Sequence, residues 1–192
     1  MSNYLPTDYQ TFIATSRYAR WLEDEGRRET WTETVERYID NIIKPVTNNT
    51  FDLDLIRHHI LSLQVMPSMR SMMTAGKAAS RDNTCMYNCS YLPVDDPKSF
   101  DEAMFILLCG TGVGFSVERQ FITKLPDVPT LFDSETTVVI KDSKEGWAKG
   151  FRQVLALLWA GEIPKWDVSR VRPAGARLKT FGGRASGPAP LV

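Results

Sequence analysis

Three cysteines, two adjacent histidines and a run of glycines are the residues of this chain whose types and spacing could do chemistry. Cys85 and Cys89 stand four apart, as in half of a zinc site. No second Cys/His pair follows, so a structural zinc would need ligands from elsewhere, and no metal is expected. Cys109, at the end of an apolar segment, reads most simply as a small buried hydrophobe. Cys89 is different: polar Asn88 and Ser90 flank it at the entrance to a strand-like stretch, which places it for solvent or substrate. From spacing alone it is either a reactive thiol or packing. His58 and His59 cannot share a helix face, because helical neighbours point ~100° apart. They read as a solvated or locally hydrogen-bonded pair rather than as metal ligands. "GTGVGF", residues 110–115, looks like a phosphate-cradling loop. In the dinucleotide and P-loop fingerprints, however, the glycines follow a strand and open a helix, so that helix amides point at phosphate. Here a helix precedes Gly110, Gly112 and Gly114 and a strand follows, so neither fingerprint applies. Two readings remain. Either glycine lets a ligand lie directly on backbone, or it marks a helix cap followed by a bulge.

The elements that must position these residues follow from periodicity. "YQTFIATSRYARWL" and "ETWTETVERYIDNIIKP" read as helices, the second opened by Thr30 and Glu33 in capping-box spacing and closed by Pro45. "DLDLIRHHILSLQVMP" is a third, with Leu53, Ile56, Ile60 and Leu63 on one face and Pro67 past its end. "PSMRSMMTAGKAASRDNTCMYNCSYLPVDDP" is rich in small and turn-forming residues and is expected to be mostly loop, with a short strand at "CSYLPV". A second capping box, Ser99 to Glu102, opens a helix with an apolar face of Phe100, Ala103, Met104, Leu107 and Leu108, ended by Gly110. "GVGFSVER", "TTVVIKD" and "WDVSRVRP" read as strands and "SKEGWAKGFRQVLALLWAG" as a helix. Helix and strand alternate from Ser99 onward, which predicts an α/β region with at least partly parallel strands. The tail "KTFGGRASGPAPLV" has Gly-Gly and Gly-Pro breaks, no capping element, and an unfinished look.

Composition bounds the function classes. The chain has 192 residues, 43% of them hydrophobic, and 23 basic against 23 acidic side chains, a formal net charge of zero. That balance provides no basic field for gripping nucleic acid directly. No stretch approaches the ~18 to 20 apolar residues of a membrane span, and the polar start lacks a signal-peptide pattern. A cytoplasmic protein is expected. An odd cysteine count without a secretory signal fits thiols rather than a disulfide framework.

Taken in order, "SRYARWLEDEGRRETWTETVERY", "MPSMRSMMTAG", "NCSYLPV", "GTGVGFSVER", "DSKEGW" and "RPAGARLKTFGGRASGPAPL" resemble the N-terminal part of the catalytic chain of ribonucleotide reductases. The resemblance runs over essentially the whole chain. It is strongest to the monomeric, adenosylcobalamin-dependent (class II) ribonucleoside-triphosphate reductases, including phage versions. It implies an α/β fold in which an N-terminal helical region, 1–66, precedes the first part of a ten-stranded α/β barrel, 67–192, incomplete in this chain. It also implies that Cys89, on the first barrel strand, is one of two thiols that reduce the ribose, and that Ser71, Asn88, Cys89 and Gly112 contact the substrate's sugar and phosphate.

The implied chemistry is radical chemistry for deoxyribonucleotide and DNA synthesis. Cobalamin homolysis raises a thiyl radical on another cysteine, the 3′ hydrogen is taken, and the 2′ hydroxyl leaves as water. Cys89 then closes a disulfide that thioredoxin, another dithiol or a C-terminal cysteine pair reduces. The Asn-Pro-Cys-Gly-Glu motif of the radical cysteine and the partner of the disulfide are both missing from these residues. The resemblance thus implies that the chain alone is inactive, that most of the cobalamin surface lies elsewhere, and that a downstream reductase polypeptide completes the barrel. "DVPTLFDSETTVVIKD" is much shorter than the insertion that carries the specificity-effector site in some monomeric members, and no allosteric residue is assigned. Two other readings stand beside this one: the corresponding piece of an iron-dependent (class I) ribonucleoside-diphosphate reductase, and a non-catalytic remnant that binds nucleotide or a partner chain.

Overall fold

The computed structural model describes residues 5–47, 50–178 and 183–192. They form two compact units, Met1–Tyr87 and Asn88–Val192. The segment 67–87 thus packs with the helices that precede it.

In the first unit, α1 (Asp8–Ile13) starts at Thr7, whose hydroxyl accepts from the Gln10 N–H, and a π-helical turn, Ala14–Tyr18, prolongs it. The helix expected through Trp21 and Leu22 stops at Tyr18. Those two residues instead form β1 (Trp21–Leu22), antiparallel to β2 (Arg27–Arg28). Gly26 at φ 62° makes the reversal, and the buried Glu29 carboxylate accepts the Arg20 N–H at 2.9 Å, which diverts the backbone from the helix.

The capping box of Thr30 and Glu33 is present at the start of α2 (Trp31–Tyr38). A second π segment, Ile39–Ile43, follows and leads directly into α3 (Lys44–Thr47), so Pro45 does not close the helix. A proline ring meets the carbonyl four residues back in an α-helix. The wider π turn just upstream moves those carbonyls aside, which accommodates the ring. Asp52 caps α4 (Leu53–Leu61) through the N–H groups of Asp54 and Leu55. The His59 Nδ1 lies 2.5 Å from Gln64 Oε1, and the two histidine rings meet edge on, as a locally bonded pair.

The stretch expected to be mostly loop contains α5 (Met69–Thr74), α6 (Lys77–Arg81) and a 3-10 turn, Asn83–Met86. Its small residues have weak helical preference, but Met72, Thr74, Ala75 and Ala78 are buried, and tertiary packing overrides propensity. Met72 and Ala75 join Leu5, Ala14, Trp31, Val35, Tyr38, Ile39, Ile60 and Leu61 in one core. Arg37 crosses it. Its guanidinium donates to both Glu29 oxygens and to the carbonyls of Tyr18, Met72 and Ala75 at 2.8–3.0 Å.

The second unit holds two β-α-β arrangements. β3 (Cys89–Pro93), α7 (Lys98–Leu108) and β4 (Gly112–Ser116) form the first; α8 (Arg119–Ile122) follows; β5 (Phe132–Val139), α9 (Lys144–Trp159) and β6 (Glu162–Asp167) form the second. In both the strands pair in parallel, as the alternation predicted. Among the described residues the strands lie in three two-stranded sheets, and a closed ten-stranded barrel is not among them.

Three local expectations are corrected here. Ser99 does not cap α7. The Asp96 carboxylate accepts the Lys98 N–H at 2.8 Å, and Ser99, inside the helix, donates its hydroxyl to the Pro93 carbonyl at 3.0 Å. On α7 the buried residues are Ser99 and Asp101, whereas Phe100, Leu107 and Leu108 are exposed at 37%, 56% and 39%. The last strand is Glu162–Asp167 rather than "WDVSRVRP". Pro164 falls where the register with β5 shifts between Asp133 and Thr137, so no ladder bond is asked of it. Of the tail, residues 179–182 lie outside the described residues, and Arg177 and Arg184 form an isolated antiparallel bridge around them.

No helix among the described residues is long and apolar enough to cross a membrane.

Candidate functional site

Cys89 and Gly112 begin β3 and β4 and face each other across the parallel pair, and two residues on Tyr91 faces Gly114. Side chains alternate across a strand, so Cys89 and Tyr91 project from one face, each beside a position without a side chain. The Gly112 N–H donates to the Asn88 carbonyl at 2.9 Å, which fixes the register, and the Ser90 hydroxyl bonds the Gly112 carbonyl at 3.1 Å. Helix α7 delivers the chain to this strand. Cys109 caps it, Gly110 turns at φ 83°, a conformation that favours glycine, and Thr111 is buried just before Gly112.

The strip beside Cys89 is bare without being crowded. A Cβ built on Gly112 would come no closer than 3.5 Å, to the Asn88 carbonyl, and one on Gly114 no closer than 3.6 Å, to the Ser90 carbonyl. Neither glycine has the positive φ that side chains avoid. The chain's own packing and backbone therefore do not call for glycine at either position. Of the two readings left open by spacing, the bulge is absent, since β3 and β4 pair without interruption from Cys89 and Gly112 to Pro93 and Ser116.

The thiols divide by environment. None of the three cysteines is in a disulfide; Cys85 and Cys109 are buried and Cys89 is exposed. Among the described residues no group of three or more His, Cys, Asp or Glu is placed to hold a metal ion. Asn88, exposed like its neighbour, completes the entrance to β3. Ser71 belongs to the first unit, on α5, where its N–H donates to the Ser68 hydroxyl at 3.4 Å. The structure thus brings Asn88, Cys89 and Gly112 together within one unit.

Sequence reasoning missed two residues here. Tyr91, exposed beside Gly114, shares the thiol's strand face; the period-two alternation counted from Cys89 was the signal that could have found it. Lys144, whose Nζ lies 3.0 Å from the Cys109 sulfur, left no local signal, because the two residues are 35 apart in the chain.

Comparison with known proteins addresses the chain as a whole. The family described as the B12-dependent ribonucleotide reductase insertion domain matches residues 130–192, which take in β5, α9 and β6. A Mycobacterium phage D29 protein, provisionally named adenosylcobalamin-dependent ribonucleoside-triphosphate reductase, is 30% identical over 91% of this chain and 30% of its own length. The adenosylcobalamin-dependent ribonucleoside-triphosphate reductase of Lacticaseibacillus paracasei is 29% identical over 91% of this chain and 33% of its own length. These alignments run over 213 and 254 residues, more than the 192 of this chain, so both relatives carry segments with no counterpart here. A crystal structure of a B12-dependent (class II) ribonucleotide reductase shares the fold over 94% of this chain and 35% of its own, with a TM-score of 0.77 at 23% identity. The chain spans about a third of the length of the relatives it matches. Over that third it is homologous to the adenosylcobalamin-dependent, class II ribonucleotide reductases rather than to the iron-dependent class.

Proposed function

We propose that this chain supplies the reducing-thiol strand of a cobalamin-dependent ribonucleotide reductase that converts ribonucleoside triphosphates to 2′-deoxyribonucleotides, with Cys89 as one of the two reducing thiols. The observation that carries the reading is the exposed Cys89 thiol set opposite Gly112, where open backbone leaves room for a sugar and its phosphate. In the net reaction the ribose loses its 2′ hydroxyl as water and gains hydrogen there. Two thiols give up two hydrogens and become a disulfide, which thioredoxin or another dithiol reopens. Cys89 donates one of those hydrogens. Gly112 admits the sugar against the strand. Asn88 offers an amide at the mouth of the strand, and Ser71 is a further substrate contact. The partner thiol and the radical cysteine belong to sequence outside this chain, in the polypeptide that completes the ten-stranded barrel.

Adenosylcobalamin, the cofactor printed in the relatives' names, supplies the radical that starts the reaction. Most of the surface that would hold it belongs to the completing polypeptide, and this chain's own contribution is the thiol and the substrate-facing backbone.

The test combines this chain with a polypeptide carrying the rest of the reductase, adenosylcobalamin, a ribonucleoside triphosphate and thioredoxin. Deoxynucleotide should form in the mixture and with neither polypeptide alone. Cys89→Ser should reduce multiple turnover with thioredoxin by at least ~100-fold, a loss on the scale of a catalytic group. Unchanged turnover in that variant refutes the role of Cys89, and turnover that needs no added chain refutes the assignment as a whole.

A further inference from the structure

The second unit contains a thiol that the reductase chemistry leaves unused. Cys109 is 0% exposed at the C-terminal cap of α7, and the first residue of α9, Lys144, reaches its sulfur with Nζ at 3.0 Å. The same Nζ lies over the Phe105 ring, 4.8 Å from its centroid. The amine is thus held from two sides, by the sulfur and by the ring face, and the end of a helix favours a cation there too. A nucleophile and a sulfur held within contact distance are arranged for an intramolecular reaction rather than for exchange with a solvent thiol. Burial excludes a bulky thiol such as glutathione but not a diatomic oxidant.

We propose that Cys109 and Lys144 are a modification site: under dioxygen they form a covalent N–O–S crosslink that joins the end of α7 to the start of α9. The geometry favours an interposed oxygen over a direct sulfur–nitrogen bond. An oxygen bridge needs only a small approach of atoms already 3.0 Å apart, whereas a direct bond needs a much larger closure of two helix ends. The step balances. Thiol plus amine, which has the same atoms as thiolate plus ammonium, reacts with one dioxygen; the S–H bond, one N–H bond and the O–O bond break. One S–O and one N–O bond form, and the second oxygen leaves as water with the two hydrogens. Sulfur and nitrogen together lose four electrons, which reduce the dioxygen. Two dithiol equivalents return the four electrons and restore both side chains, releasing the bridging oxygen as water. The crosslink clamps the three-residue approach from Cys109 to Gly112, the strand position opposite Cys89. This inference does not depend on the reductase reading.

The experiment uses the full 192-residue chain, kept either anaerobic with dithiol or under dioxygen, followed by intact mass measurement and peptide mapping. The expected result under dioxygen is a mass gain of one oxygen less two hydrogens, a dithiol-reversible peptide pair linked through residues 109 and 144, and no such pair in the anaerobic sample. Lys144→Arg, which keeps a cation over Phe105, and Cys109→Ser should each abolish the linked pair. A Cys109 that remains a thiol, or that oxidises without linkage to Lys144, overturns the proposal. So does a linked mass that persists in Lys144→Arg. The wild-type peptide map decides the matter even if a variant fails to fold.

Discussion

At Cys89 two properties meet that seldom serve packing: an exposed thiol, and an adjacent strand position left without a side chain. Gly112→Ala separates the site from the scaffold. The added methyl would sit 3.5 Å from its nearest neighbour, an ordinary contact, so unfolding stability should stay within about 0.5 kcal/mol of wild type. In the completed reductase the same substitution should raise KM for nucleotide, because the methyl occupies the room assigned to substrate. Urea unfolding of the chain and steady-state kinetics of the assembled enzyme check the two halves separately. The identity of Cys89 as the distinctive thiol was legible in its polar flanks. That it faces Gly112 was not, since register is a property of two strands brought together by the intervening helix. For the same reason Cys109 was legible as buried but not as the neighbour of an ammonium.

At the scale of elements, caps and close approaches carry the testable content. The Arg27 guanidinium, 2.7 Å from Glu33, and then the Thr30 backbone N–H hold the Glu33 carboxyl down to about 2, from an ordinary 4.5. A carboxyl depressed on folding contributes stability that is fully present above its unfolded value and is lost as pH falls toward its folded one. Helix α2 should therefore loosen between pH 4.5 and about 2, a transition visible in far-ultraviolet circular dichroism and diminished in Glu33→Gln. The contribution is small, because both partners of the pair are partly exposed. Gly146, in the first turn of α9, is the opposite of Gly112. A Cβ there would overlap the Lys141 carbonyl oxygen, and backbone has no rotamer by which to retreat. Gly146→Ala should cost about 1–3 kcal/mol, measured by urea unfolding. The capping box of α2 was legible because its two residues are local to the helix they start. Ser99 had the same spacing and failed, because the helix starts one residue before it, after Pro97, and the Pro93 carbonyl takes its hydroxyl. Pro45 misled because the π turn before it makes room for the ring, so the helix runs on past the proline.

For the molecule as a whole, parallel strands on either side of a helix were legible from the alternation of periods, and both β-α-β arrangements follow it. The short helices between Pro67 and Tyr87 were not legible, since burial against a distant core, not local preference, forms them. The exposed Phe100, Leu107 and Leu108 on α7 belong to the same lesson: an apolar face announces that something covers it but not what. Arg37 carries a consequence of another kind. One guanidinium closes on carbonyls at Tyr18, Met72 and Ala75 and on the carboxylate of Glu29, so segments remote in sequence share a single fastening. Their amides should exchange with deuterium through one common opening, at matched rates. In Arg37→Met, which leaves a buried carboxylate without its partner, that opening should become easier by about 3–5 kcal/mol. Protease attack on the first unit should accordingly be all or nothing, with no long-lived nicked form in which one of these segments has come loose while the others hold.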